Sequence, residues 1–281
     1  MKKICLLALS FLSVNSQAQT LAANMMPDGS QDIFIGLAVA AAPRYEGASK
    51  GNLKLVPILQ MQWSNGIFVS DLYTAGMHLS NQPGIEYGPL LQYQPGRRAT
   101  TTEKTYGVED INDTINVGGF LNIYLNPNLR LKSSLLHATG NGMLYKLDLQ
   151  QSFRQIVPHH TLSISAGSVW ANRQYTQKYF GIDPDLSTAN LSHVGETSIT
   201  LDPNNAGSSG INGAGKIESN YVASGGVSNL HLGANWNWEL DANWLLTSGV
   251  SAVRLHGNAA ASPVVSKRNY MTVHTGLAYR F

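Results

Sequence analysis

Leu230-His231-Leu232-Gly233-Ala234-Asn235-Trp236-Asn237-Trp238-Glu239-Leu240 is the stretch that decides the fold. Its even positions carry leucine, alanine and tryptophan, and its odd positions carry histidine, glycine, asparagine and glutamate. A helix would put Glu239 on one stripe with Asn235 and Trp236, so no helical face comes out apolar. A strand with one face in lipid and the other in a lumen alternates in this way over about ten positions.

The last segment repeats the pattern. Met271, Val273, Thr275, Leu277, Tyr279 and Phe281 alternate with Thr272, His274, Gly276, Ala278 and Arg280. A terminal aromatic with Val273, Leu277 and Tyr279 on its face resembles the end signature of bacterial outer-membrane barrels. That resemblance implies Val273, Leu277, Tyr279 and Phe281 as an assembly signal read by the barrel assembly machinery.

Upstream, Met143, Tyr145, Leu147, Leu149 and Phe153 oppose Lys146, Asp148, Gln150, Ser152 and Arg154, and Ile85, Tyr87, Leu91 and Tyr93 oppose Glu86, Gly88, Gln92 and Gln94. Short turn sequences stand at 64–66, 81–83, 126–128, 156–158 and 240–242. Long polar connections stand at 44–52, 95–112, 173–226 and 257–268, with a tight one at Gly140-Asn141-Gly142. This near-alternation of short and long matches periplasmic turns and extracellular loops. An even strand number requires 66–73 and 74–80 to form a short pair. The expectation is therefore an all-β, closed, antiparallel transmembrane barrel of about twelve strands, with ten as the alternative if that pair lies outside the wall. No convincing helix is expected. Trp63, Tyr93, Tyr124, Trp170, Trp236, Trp238, Trp244, Tyr279 and Phe281 fall near strand ends, as an interfacial girdle would.

Composition agrees. Of 281 residues, 43% are hydrophobic and only 13% charged, against roughly 25% charged in an ordinary soluble domain. The longest apolar run after residue 20 is Ile33 to Ala42, short of the roughly 18 residues of a helical span. Lys2 and Lys3, the apolar stretch Ile4 to Val14, and Ser16-Gln17-Ala18 match a secretory signal peptide over 1–18. A periplasmic stretch over 19–31 and a barrel over 32–281 complete the expected organisation. Cleavage would remove the single cysteine, Cys5, and leave 17 cations against 17 anions. Neutrality without a basic run argues against nucleic acid as a partner, and loss of the thiol excludes disulfides and cysteine metal sites.

No catalytic, cofactor or metal constellation stands out. His159 and His160 are neighbours that point to opposite faces of a strand, a poor chelate. Ser133 and His137 share a face but lie roughly 13 Å apart along it. His256, Asp110 and Asp113 fall near loop mouths, where such residues are usually solvated. The chain is not expected to be an enzyme. The candidate lumen-lining ionisable residues are Lys54, Glu86, Arg130, Lys132, Lys146, Asp148, Arg154, His231, Glu239, His274 and Arg280. Their mixed signs suit a polar plug or a weakly selective channel, and the narrow bore of ten or twelve strands favours a mostly filled lumen. The long loop 173–226 would cap the barrel, carry surface contacts or simply vary.

Six segments in order resemble the MipA/OmpV family: Pro43-Arg44-Tyr45-Glu46-Gly47, Gln92-Tyr93 leading to Gly96-Arg97-Arg98, Gly118-Gly119-Phe120, Tyr179-Phe180-Gly181-Ile182, Asn258 to Val265, and Tyr279-Arg280-Phe281. The resemblance spans nearly the whole mature chain. Ala261 stands where the family commonly has an aspartate, and a longer insert replaces an acidic turn after Gly96-Arg97. Membership implies an outer-membrane protein with a scaffolding role, the best-known member bridging a murein lytic transglycosylase and a penicillin-binding protein. Contacts of that kind would use Gln155 to His159 and the stretch Gln19 to Gln31. Outer-membrane lipid and lipopolysaccharide are the other expected partners. The alternative function is a small-solute channel. Deleting Phe281 is predicted to lower the amount of protein assembled in the outer membrane, and unchanged surface levels by immunoblot would refute that role.

Overall fold

The computed structural model describes residues 26–70, 73–97, 110–182 and 221–281. The expected signal segment, residues 19–25 and most of the long loop lie outside the described residues. The elements are β1 (Gln31–Pro43), β2 (Gly51–Trp63), β3 (Ile67–Ser70), β4 (Thr74–Met77), β5 (Ile85–Gln94), β6 (Thr114–Asn126), β7 (Leu129–Ala138), β8 (Gly142–Arg154), β9 (His160–Ala171), α1 (Arg173–Phe180), β10 (Gly226–Glu239), β11 (Trp244–Leu255), α2 (Gly257–Ala261) and β12 (Asn269–Arg280).

Each strand pairs antiparallel with its sequence neighbours, and β1 pairs with β12 from Phe34↔Arg280 to Ala41↔Val273. The sheet is a closed barrel of twelve strands. The short pair β3 and β4 sits within the wall between β2 and β5, which removes the ten-strand alternative. The turns after β2, β4, β6, β8 and β10 lie at the end that holds the start of β1 and the end of β12. The connections after β1, β5, β7, β9 and β11 lie at the other, which we term the loop end.

Register fixes the two faces. Leu53, Leu55, Leu232 and Met271 point outward and are 76%, 67%, 64% and 62% exposed. Apolar side chains so bare, repeated around the wall, would aggregate a soluble monomer and instead mark a surface solvated by hydrocarbon. Aromatic rings edge this belt. Near the termini end His160 stacks on Trp236 and Trp238, and Trp244, Tyr279 and Phe281 pack edge to face. Near the loop end Tyr73 stacks on Tyr93, and Tyr145 meets Trp170. Tyr124 departs from the expected girdle. It shares the inward face with Arg130, its register partner, so its ring belongs to the lumen.

Two short helices also correct the all-strand reading. Asn172 caps α1 by accepting from the Tyr175 amide through Oδ1 at 2.9 Å. Tyr175, Thr176, Tyr179 and Phe180, at helical spacing, are the buried face. Eight residues are too few for a stable isolated helix, so this one depends on the barrel mouth beneath it. Gly142, at the hairpin joining β7 to β8, has φ +94°, and a Cβ there would strike Asn172 Oδ1 and the Tyr175 backbone. Gly142→Val is predicted to destabilise the barrel by about 1–3 kcal/mol, read as an earlier thermal loss of the fast-migrating folded band on a detergent gel.

Candidate functional site

The inward face builds three tiers of contacts from the termini end upward. In the lowest, Arg280 Nε meets Asp32 Oδ1 at 2.7 Å, with its guanidinium over the Phe34 ring. Glu86 accepts from Asn122 Nδ2 at 3.1 Å and from the Tyr124 hydroxyl at 3.0 Å. Arg130 donates to Tyr124 at 3.3 Å and through Nε and a terminal nitrogen to Gln150 Oε1 at 3.0 and 2.8 Å. Neighbouring strands supply each partner, so alternate positions of β5, β6, β7 and β8 knit into one band. Burial raises the value of each such bond, because a lost partner leaves a buried polar group at a cost of about 1–3 kcal/mol.

Halfway up, His231 Nε2 lies 2.6 Å from Asp148 Oδ1, while Lys132 faces Asp148 in register. Lys146 donates to Gln92 Oε1 at 3.3 Å. Gly167 permits this packing, since a Cβ there would strike Asp148 Oδ1 and come within 2.6 Å of His231 Nε2. Between these groups and Thr272 and His274 on β12 remains a polar cavity of about 120 Å³. His274 Nε2 has no hydrogen-bond partner among the described residues.

The top tier is a cap. Tyr175, Tyr179 and Phe180 of α1 pack with Ala259 of α2 and with Ile111, Leu144, Val169, Leu255 and Val265 in one buried apolar cluster. Polar bonds fasten its rim: Tyr175 accepts from Gln94 Nε2 at 3.0 Å, Gln94 accepts from Asn116 at 2.7 Å, and Ser262 donates to the Phe180 carbonyl at 2.6 Å. Arg97, 7% exposed, donates to the Tyr179 carbonyl at 2.8 Å and lies over the Tyr45 ring. Glu46, from the connection between β1 and β2, reaches under this cap. Its Oε1 accepts from Tyr270 at 3.3 Å and from Asn229 at 3.4 Å. Part of its surface stays accessible, yet removal of the carboxylate from water raises its pKa from 4.5 to about 7, against the lowering pull of Tyr270, Lys146 and Arg97.

All the candidate lumen residues occupy inward register positions, but they do not form one constellation. Glu86 and Arg130 join the lowest tier, and Lys132, Lys146, Asp148, His231 and His274 surround the cavity. Arg154 and Glu239 lie exposed at the termini-end rim, and Arg280 is an ion-pair partner there. Lys54 stands alongside on the inner face of β2, paired in register with Ala40. Residues weighed for catalysis or for metal binding have structural contacts. Asp113 accepts from the Gly96 amide at 2.7 Å and the Tyr93 hydroxyl at 2.8 Å, His160 bonds to Trp236 at 3.0 Å, and Ser133 donates to the Leu121 carbonyl on the outer face at 2.9 Å. Among the described residues, no three His, Cys, Asp or Glu side chains group as metal ligands.

The cap residues Glu46, Gln94, Arg97, Tyr175 and Tyr179 were not singled out from sequence as site residues. A signal for α1 was present in Asn172 followed by aromatics at three-residue and four-residue spacing. Four of the six segments that carry the family resemblance contribute to this cap: Tyr45 to Gly47, Gly96-Arg97, Tyr179 to Ile182, and Asn258 to Val265.

A lipid-facing wall closed around a polar, networked interior defines an outer-membrane β-barrel protein. The chain belongs to the MipA family: the family model described as MltA-interacting protein MipA matches residues 35–281. No curated protein matches it. Among solved structures it is similar to the KdgM porin in complex with disordered oligogalacturonate, at 8% identity over 89% of this chain and 99% of that one, TM-score 0.44. It is similar also to the translocator domain of the autotransporter NalP from Neisseria meningitidis, at 10% identity over 92% of this chain and 90% of that one, TM-score 0.42.

The Glu46 carboxyl gives the cap a signed pH dependence. Held in place it ionises at about 7, and once exposed it ionises near 4.5. Between those values the opened state releases a proton that the closed state keeps, so closure weakens as pH rises through this window and changes little above it. Protection factors across Tyr175 to Phe180, with the intrinsic pH dependence of exchange divided out, are predicted to be higher at pH 5 than at pH 8, and Glu46→Gln to flatten that difference. Equal slopes in the two proteins would refute it.

Proposed function

We propose that the chain is an envelope scaffold, exported by its N-terminal segment and placed with its termini end toward the periplasm. The observation that carries this reading is the occupied interior: two tiers of bonded side chains beneath a packed cap suit a platform better than a conduit. Scaffolding needs an exposed feature, and the β8–β9 turn supplies one. Ile156 and Val157 stand 60% and 54% exposed at its tip. Gln155 and His159 on either side are non-glycine residues with φ +53° and +69°, a conformation that costs free energy unless surrounding contacts hold it. The Gln155 amide donates to the His160 carbonyl at 2.9 Å and the Glu239 amide to the His159 carbonyl at 2.9 Å, which hold the tip out.

The partner this reading assigns is a murein lytic transglycosylase, as the family's name indicates, with a murein-synthesising penicillin-binding protein beyond it. The chain itself then performs no chemistry. A small-solute channel is the second reading, favoured by the polar cavity of about 120 Å³ beside Lys146 and Asp148.

Pull-down of a purified lytic transglycosylase by the full-length barrel is the test. Wild type is expected to retain the enzyme, and Ile156→Asp with Val157→Asp to lose most of it while keeping the folded gel mobility. Absence of retention by wild type ends the scaffold reading, and steady conductance in planar bilayers would install the channel in its place.

A further inference from the structure

On the outer wall, toward the loop end of β1, β2, β9, β10, β11 and β12, lies a groove of about 1260 Å³. Three small side chains, Ala41, Ala166 and Ala252, lie among the larger Leu53, Leu232 and Met271. This alternation of small and large residues leaves a furrow along the wall that a hydrocarbon chain can enter. Bulk lipid would wet this furrow without preference. Its upper margin adds the discrimination. Lys50, Arg254 and Lys267 border the same groove. Arg254 is on the outer face, in register with Leu230 and Asn269, while Lys50 and Lys267 come from the connections on either side of the β1–β12 seam. All three are exposed, and their side chains make no hydrogen bond or ion pair with the described residues. Among the described residues, no acidic side chain lines the groove.

We infer that this groove is a binding site for one phosphorylated, acylated lipid, the lipid A of lipopolysaccharide, with acyl chain along the alanine floor and phosphate among the three cations. Chain and head group belong to the same molecule because the cations sit where the apolar belt meets the loops, the depth of a phosphate in the outer leaflet. Ammonium and guanidinium groups both recognise phosphate, the guanidinium with two parallel bonds. The site rests on the loop end facing outward, which surface labelling of intact cells at Lys50 decides separately from lipid binding.

Native mass spectrometry of the full chain in detergent, titrated with diphosphorylated lipid A, tests the inference. Wild type is expected to retain the lipid, and the triple variant Lys50→Ala, Arg254→Ala, Lys267→Ala to bind it roughly tenfold more weakly. Arg173→Ala, on α1 and away from the groove, should bind as wild type does. Ala252→Trp fills the floor and should weaken binding with every cation in place, and dephosphorylated lipid A should bind wild type no better than it binds the triple variant. Folded gel mobility qualifies each variant before titration. Equal retention by wild type and the triple variant, or equal binding of the two lipid forms to wild type, overturns the site.

Discussion

A backbone amide in hydrocarbon has no water to turn to, and every other feature of this barrel follows from satisfying that demand. An open sheet would leave two unpaired edges in lipid, each group costing several kcal/mol. Pairing β1 with β12 removes both. Closure then dictates the rest. Antiparallel strands in even number put both chain ends on one side, divide the connections into short turns and long loops, and turn alternate residues of every strand into a confined interior.

Twelve strands enclose too little space for a broad aqueous pore and too much for side chains to fill by chance. The chain resolves this by pairing long polar residues across neighbouring strands, as Arg130 does with Gln150 and Tyr124, and by leaving glycine where partners crowd, as at Gly167 beside Asp148 and His231. Above them the cap adds the largest apolar cluster, with Tyr175 and Phe180 each 1% exposed, and Phe34, Ala38, Ile58, Leu245 and Ala278 form a smaller one inside the wall. The interior is thus polar and networked along β5 to β8, and apolar both beneath the loops and beside the β1–β12 seam.

The wall was legible in sequence because period two is enforced at every strand by two incompatible solvents. Leu230 to Leu240 and Met271 to Phe281 could be read residue by residue, and the turns fell between them. Tyr124 was misread because an amphipathic ring near a strand end suits a girdle and a lumen equally, and only the register with Arg130 separates the two. The cap was illegible for a different reason. Its members, from Glu46 to Val265, are distant along the chain and meet only once the barrel has formed, and α1 has two turns whose stability comes from what lies beneath. Sequence resemblance marked several of these segments without saying that they touch.

Strands β3 and β4 have four residues each, while β5 has ten and β10 fourteen. Backbone bonds of Gly66 with His78, Leu79 with Tyr87 and Tyr73 with Tyr93 extend the pair, yet from Tyr73 to Leu79 it runs only about 23 Å at about 3.3 Å per residue, against about 43 Å for the thirteen residues of β1 or β2. The barrel therefore has a low side. Lipid beside it must thin or splay to meet the shorter wall, so the protein imposes a fixed asymmetry on its annulus: compressed bilayer at one bearing, full thickness elsewhere. A neighbour with a similarly low side would share that compressed patch and lessen its cost, so mismatch alone supplies a lateral preference in the plane of the membrane.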